Sequence, residues 1–322
     1  MICNFNWTAN RDLRTKFGLK TKIIVKTCRV FALPILICSG SGALAQNGDA
    51  PAKPAFPQVA GGDIFGFTAP SDIGSPGDHG GGIEIDGNLG KRDGRYRNFT
   101  QKFGYERVIA DNWSFGVAFF TAWHGVHNVT VAPINRSMLQ FDGASFEIAH
   151  RLIERSATNP FAFKIALEPR WARLDDGGRR SQAFGAELKF IVDAVVAPEK
   201  LYWAMNVVLA YDNARNPDIR SKWAPSTEVK VSQALTYQLT EKLLVGAEAT
   251  YLAGFDGGAF NRFTGHAVFL GPTLYWKVAE KVSFNATVAP QIAGRNIATP
   301  GQKFDLDNYT RMMTRFKLSV EF

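Results

Sequence analysis

Five histidines, 37 basic and 29 acidic residues are what this 322-residue chain offers for chemistry. His124 and His127 form an H-x-x-H. On a strand, three-residue spacing sends two side chains to opposite faces, so a metal site there needs an irregular loop, and two polar rim histidines are expected instead. His79 and His266 are isolated. A serine nucleophile needs an adjacent base and an orienting partner, and the available pairs are His150 with Ser145 and His266 with Ser283. Neither lies in a G-x-S-x-G context, and no P-loop, G-x-G-x-x-G, H-E-x-x-H or EF-hand pattern occurs. Asp175, Asp176, Asp256, Asp305 and Asp307 could hold Ca²⁺ from loops, but solvated loop acids are the simpler expectation. No catalytic residue, metal or cofactor is therefore expected.

The charges that recur with a pattern do so at every second position of alternating segments. Glu84 and Asp86, Glu147 and Arg151, Lys164, Glu168 and Arg170, Glu187 and Lys189, Glu228 and Lys230, Glu248, Lys277, and Arg311, Arg315 and Lys317 each take the polar phase of such a segment. Facing a lumen, these rows could cross-link the wall and close it. They could instead frame a water-filled path whose field selects small polar or charged solutes.

What must position them is a set of strands. From about Gly81 onward, twelve segments alternate with period two, at 81–91, 96–107, 113–124, 138–152, 160–173, 183–195, 201–212, 227–239, 243–254, 267–278, 282–292 and 309–322. In the third, Trp113, Phe115, Val117 and Phe119 oppose Ser114, Gly116, Ala118 and Phe120. Short polar turns such as Ala110–Asn112, Pro198–Lys200, Thr240–Lys242 and Ala279–Lys281 alternate with longer loops such as Gly125–Ser137 and Gly294–Asn308. Tight turns at one rim and long loops at the other are the habit of transmembrane barrels.

Period two also fits a soluble sandwich. Against that, charges sit mid-strand on the polar faces, and aromatics gather near the strand ends on the apolar faces. Trp113, Trp123, Trp171, Tyr211, Tyr237, Tyr251, Trp276 and Phe322 form the expected interfacial girdle. Backbone groups in lipid must all be bonded, which a closed sheet achieves. Pro169, Pro272 and Pro290 fall on the apolar faces and cannot donate to a ladder, so they are expected toward the outer ends of their strands. Gln233 and His150 on the same faces mark places where the register is open to error.

Upstream, seven basic residues between Arg11 and Arg29 precede the apolar run Val30–Cys38 and the sequence Ala43-Leu44-Ala45. That order predicts a secretory signal peptide over 1–45, cleaved near Ala45. Without it, 30 basic residues face 28 acids, so the formal net charge of +8 belongs mostly to the leader and the case for a nucleic-acid partner falls away. All three cysteines lie in the leader, which excludes disulfides and thiolate sites from the rest. Residues 46–80 read as a flexible Pro/Gly-rich segment, with one apolar patch, Ile64-Phe65-Gly66-Phe67, that could dock in the lumen or at the periplasmic rim.

The leader, the cysteine-free remainder, the turns ADNWSFG, TEKLLVG and AEKVSFN, and the closing RFKLSVEF together resemble Gram-negative outer-membrane β-barrels. More loosely, the chain resembles outer-membrane transporters of proteobacteria. The resemblance implies outer-membrane lipid as surroundings, small solutes as cargo, and the barrel-assembly machinery as a partner of the last strand. The expected function is a passive channel for small polar or charged solutes. A structural or surface-interaction barrel without a through-path and an outer-membrane lipid-modifying enzyme are the alternatives.

Overall fold

A computed structural model describes residues 63–156, 158–215 and 222–322. The leader, its cleavage site and residues 46–62 lie outside the described residues. Twelve strands follow one another: β1 (His79–Leu89), β2 (Arg95–Ala110), β3 (Trp113–His127), β4 (Arg136–Ile153), β5 (Phe161–Leu174), β6 (Arg180–Ala197), β7 (Leu201–Arg215), β8 (Trp223–Gln238), β9 (Leu243–Asp256), β10 (Arg262–Ala279), β11 (Val282–Asn296) and β12 (Met312–Glu321). Each pairs antiparallel with its neighbours, and β1 closes on β12 from Gly80↔Glu321 to Leu89↔Met312. The result is an all-β, up-and-down antiparallel barrel.

Alternation dictates the two faces. Along β3, Trp113, Phe115, Val117 and Phe119 are exposed while Ser114, Ala118, Phe120 and Ala122 are buried. The same holds around the wall, so an apolar exterior surrounds a lumen lined by polar and small side chains. Such an exterior belongs in lipid, where a closed ladder leaves no edge unpaired. Trp113, Tyr237, Trp276 and Phe322 lie toward the rim of short turns, the inner rim, while Trp123, Trp171, Tyr211 and Tyr251 lie toward the outer rim. His150 faces outward and stacks on Trp113 at 4.2 Å. Gln233 also faces outward, with its amide 3.8 Å from Met205 Sδ. The register therefore holds at both places.

Two expectations are corrected. Several strands extend further outward than alternation indicates: β8 begins at Trp223, β10 at Arg262, and β11 ends at Asn296. Above the lipid no apolar face is required, so the pattern fades while the ladder continues. Pro272 lies mid-strand, not near an outer end. It is accommodated with Pro290 where the β10–β11 pairing lapses between Phe269↔Gln291 and Thr273↔Thr287. Pro169 sits in a like lapse between Ser145↔Arg170 and Ile148↔Leu167. A residue without an N–H removes a rung, and the wall places these prolines where rungs are missing.

Candidate functional site

A barrel of twelve strands is wider than wall side chains alone fill. In the inner half, residues 63–74 supply the missing matter as a strap inside the lumen. The strap makes no ladder of its own, so its backbone donors need side-chain partners, and the inward phase of the wall provides them. The Glu248 carboxylate, 1% exposed, accepts from the N–H groups of Gly66, Phe67 (2.7 Å) and Thr68 (3.1 Å). Asn206 brackets Ala69, accepting from its N–H at 3.0 Å and donating to its carbonyl at 3.1 Å. Asp193 accepts from the Ser71 N–H. Asn285 donates to the Phe65 carbonyl (2.6 Å), Lys230 to that of Phe67 (3.3 Å) and Arg315 to that of Gly66 (3.3 Å). Only glycine fits at 66, because a Cβ there would collide with the Thr287 side chain.

Apolar packing completes the seal. Ile64 and Phe65 are fully buried against Val195, Tyr202, Ala204, Ala234, Leu244 and Tyr275, which span β6 to β10. Phe67 packs with Leu252, Phe269 and Met313, and the Arg315 guanidinium lies 5.2 Å from its ring centre. Ile73 joins Val108, Ala149 and Ala166. Each large apolar side chain so buried contributes roughly 1.5–3 kcal/mol. Ion pairs fix the ends: Lys317 with Asp63, and Arg155 with both Asp72 and Asp193. From Asp63, paired with Lys317 of β12, to Ile73 beside β2, β4 and β5, the strap tracks most of the wall before β1.

Higher in the lumen the wall charges pair with one another. Lys189 meets Glu147 (2.7 Å), Glu168 and Glu187 (3.7 Å), and Lys102 also approaches Glu168 (3.6 Å). The Ser145 hydroxyl donates to Glu168 at 2.7 Å. Arg170 pairs with Asp142 (2.8 Å) and stacks over Phe120 (4.5 Å). Across the closing seam Arg315 binds Glu84 (2.9 Å) and Asp86 (2.7 Å). Between these networks lies a cavity of about 910 Å³, including the part open to solvent, lined by Glu84, Asp86, Lys102, Phe120, Glu168, Arg170, Glu187 and Phe269 among others.

The outer loops fold inward over this cavity. Asp175 staples its turn, accepting from the N–H groups of Gly177 (3.0 Å) and Arg179 (2.8 Å) and from Arg179 Nε (2.7 Å). Arg136 and Gln140 donate to the Gly178 carbonyl, and Tyr96 Oη donates to the Asp176 carbonyl at 3.1 Å. Gly178 has φ +74°, and a Cβ there would lie 2.8 Å from the His124 ring. The Asp176 carboxyl is 4% exposed and reaches the cavity, where its Oδ1 has no hydrogen-bond partner. Burial pushes this carboxyl up to about 8, against the pull of the Lys91 ammonium and with the push of Asp175 and Asp142. Asp305 is fully buried and accepts from Asn296 and Asn308. The expectation of solvated loop acids therefore fails at Asp176 and Asp305, because the loops turn into the barrel mouth.

Of the residues expected in the lumen, Glu84, Asp86, Glu147, Glu168, Arg170, Glu187, Lys189 and Arg315 take part in these wall networks. Glu248, Lys230 and Lys317 hold the strap, as do Arg151, 3.2 Å from the Ile73 carbonyl, and Lys164, 3.5 Å from that of Asp72. Glu228 is buried on the inward phase of β8 and Lys277 sits on the inward phase at the inner end of β10. Arg311 lies just outside β12 and is exposed at the outer rim, because β12 begins at Met312. His124 is not at a rim: it is buried in the lumen, with Nε2 3.2 Å from Asn98 Nδ2. Among the described residues no group of three His, Cys, Asp or Glu could hold a metal. Ser145 faces inward and His150 outward, and His266 and Ser283 lie near opposite rims, so neither pair meets. Asp142, Arg155, Asp193 and Asn206 were missed as site residues. Asp193 and Asn206 carry a signal in their inward phase, but Asp142 precedes a bulge at Gly143 that shifts the phase.

Residues 57–322 match a family described as one of unknown function (DUF6662). The chain belongs to that family. No curated protein matches it. Among solved structures, the COG4313 outer membrane channel of Pseudomonas putida F1 is similar over 78% of this chain and 98% of its own, at 10% identity and a TM-score of 0.52. The NanC porin is similar over 75% and 100%, at 8% identity and a TM-score of 0.46. The KdgM porin in complex with disordered oligogalacturonate is similar over 75% and 99%, at 9% identity and 0.42. The first likeness bears on the fold, so this family member has the fold of a Gram-negative outer-membrane β-barrel.

Proposed function

We propose that the protein is an outer-membrane channel for small polar or charged solutes, with the outer cavity as its vestibule and the strap as its inner constriction. The observation that supports this is the vestibule itself. Its wall carries charges of both signs, held against one another around a space that is partly open to solvent. What closes the inner half is a segment held by hydrogen bonds and packing, not the wall. In this reading the last strand, ending on exposed Phe322, is the part offered to the barrel-assembly machinery. The many wall hydrogen bonds and buried apolar side chains that hold the strap favour a second reading, a structural barrel without a through-path.

Planar-bilayer recordings decide between them, comparing the refolded chain from Gln46 with one that starts just after the strap. Discrete openings, larger without the strap and with a reversal potential in a salt gradient, are expected of a channel. Silence from a strapless barrel that is folded by circular dichroism and inserted would overturn the channel and leave the structural reading.

A further inference from the structure

Among the described residues, Asp176 is a buried carboxyl on a lumen-facing turn with one oxygen left unpartnered. Its turn is fixed from every side: Asp175 staples it, Arg136 and Gln140 hold the Gly178 carbonyl, and Tyr96 holds the Asp176 carbonyl. The side chain at the tip of so determined a turn nevertheless reaches into the vestibule with Oδ1 unpartnered. Buried polar atoms are paired in the great majority of cases, and an orphan calls for an explanation.

We propose that Asp176 anchors the protonated amine of a small organic solute at the outer end of the vestibule. This deepens the channel reading, resting on the vestibule being the solute's way in. The orphan atom is an acceptor, so its ligand must donate. The surroundings suit an ammonium on an organic body: the amides of Asn88 and Asn98 and the ring of Tyr96 share the lining, and aromatic faces attract such cations. The same mouth already holds one ammonium by these means, since Lys91 Nζ lies 3.1 Å and 3.2 Å from the carbonyls of Asp307 and Asn308 and 5.3 Å from the Tyr96 ring centre. A metal ion would need more ligating groups than the described residues assemble here. An anion would find the vestibule's Lys102 and Arg170 already engaged by Glu168 and Asp142.

The charged and titratable groups around Asp176 are Lys91 from the β1–β2 loop, Asp175 with Arg179 in its own turn, Asp142 and Arg136 on β4, Arg170 on β5, and His124 on β3. In the empty site the carboxyl stays protonated to about pH 8. A bound ammonium favours the carboxylate, so binding expels a proton and affinity falls about tenfold per unit as pH drops below about 8.

The test is calorimetry on the detergent-folded chain from Gln46, titrated with n-butylammonium, 1-butanol, butyrate and Ca²⁺. Butylammonium alone should bind, more tightly at about pH 9 than at about pH 6. Asp176→Asn, which spares the Tyr96 bond and the Asp175 staple, should weaken it at least about tenfold and flatten the pH dependence. No butylammonium binding, equal binding by the Asn variant, or preference for Ca²⁺ would overturn the site. A conducting barrel that ignores butylammonium refutes the site and keeps the channel; a silent barrel that binds it does the reverse.

Discussion

The outer half of the lumen is held by strand-to-strand pairs such as Lys189 with Glu147 and Arg315 with Asp86. In the inner half the inward groups Glu248, Asn206 and Asp193 turn instead to the backbone of residues 66–71. Both halves must satisfy polar side chains in a lumen shielded from lipid, and they do so with different partners. Wall-to-wall pairing leaves the centre free and keeps a cavity. Wall-to-strap pairing fills the centre, because each side chain reaches inward to a chain that also brings Ile64, Phe65 and Phe67. A wide barrel can thus be vestibule above and seal below on one uninterrupted sheet.

Breaking the seal should have the largest effect. Phe65→Ala empties the middle of the apolar cluster under the strap, and a buried Phe truncated to Ala costs about 3–5 kcal/mol. The expected result is faster protease cleavage within 63–78 and a rise in bilayer conductance, with the barrel's heat-modifiable gel shift retained. A variant unfolded as a whole would show that strap and wall are one cooperative unit. Glu248→Gln is the milder form: one oxygen that accepts from Gly66, or from Phe67 and Thr68, becomes a donor facing those N–H groups, at about 1–3 kcal/mol. Cleavage should rise less than in Phe65→Ala, and an unchanged strap would mean that packing alone seats it.

The contrast between halves was only partly readable in the chain. Period two exposes the strands and the inward phase of Glu84, Glu187 or Lys230, because lipid on one side and polarity on the other impose it at every position. It fades where β10 and β11 rise above the lipid, so alternation alone ends these strands short of Arg262 and Asn296. The strap's apolar patch stood out among Pro and Gly, but its partners Glu248, Asn206 and Asp193 lie on three strands, 122 to 182 residues away. Only closure of the barrel brings them together. The burial of Asp176 and Asp305 depends likewise on loops turning inward, which local composition does not encode.

Within the outer half, Ser145→Ala should cost about 0.5–1.5 kcal/mol, read as a small shift of the urea midpoint in detergent. Glu168 keeps two ammonium partners there. A larger loss would mean that the hydroxyl organises the whole Lys189 network and that the outer wall is less redundant than its pairs suggest.

The smallest effect separates two loops of the mouth by sign. Asp93, in the exposed β1–β2 loop, accepts from the Thr130 hydroxyl and from its N–H at 3.0 Å, and these bonds hold its carboxyl below the ordinary carboxylate value. A depressed carboxyl adds stability that is present above its unfolded pKa of about 3.9 and is lost as pH falls through the lower folded value. Asp176 is raised, so its contribution is full below about 3.9 and is lost as pH rises through about 8. Hydrogen exchange should show the Thr130 amide losing protection only in strong acid, and the amides of 175–179 losing it progressively as pH rises from about 4 to about 8. Asp93→Asn should abolish the first trend and leave the second, and Asp176→Asn the reverse. If both loops responded with the same sign, the mouth would be opening as one piece, and the distinction between a stapled exposed loop and a buried vestibule turn would not hold.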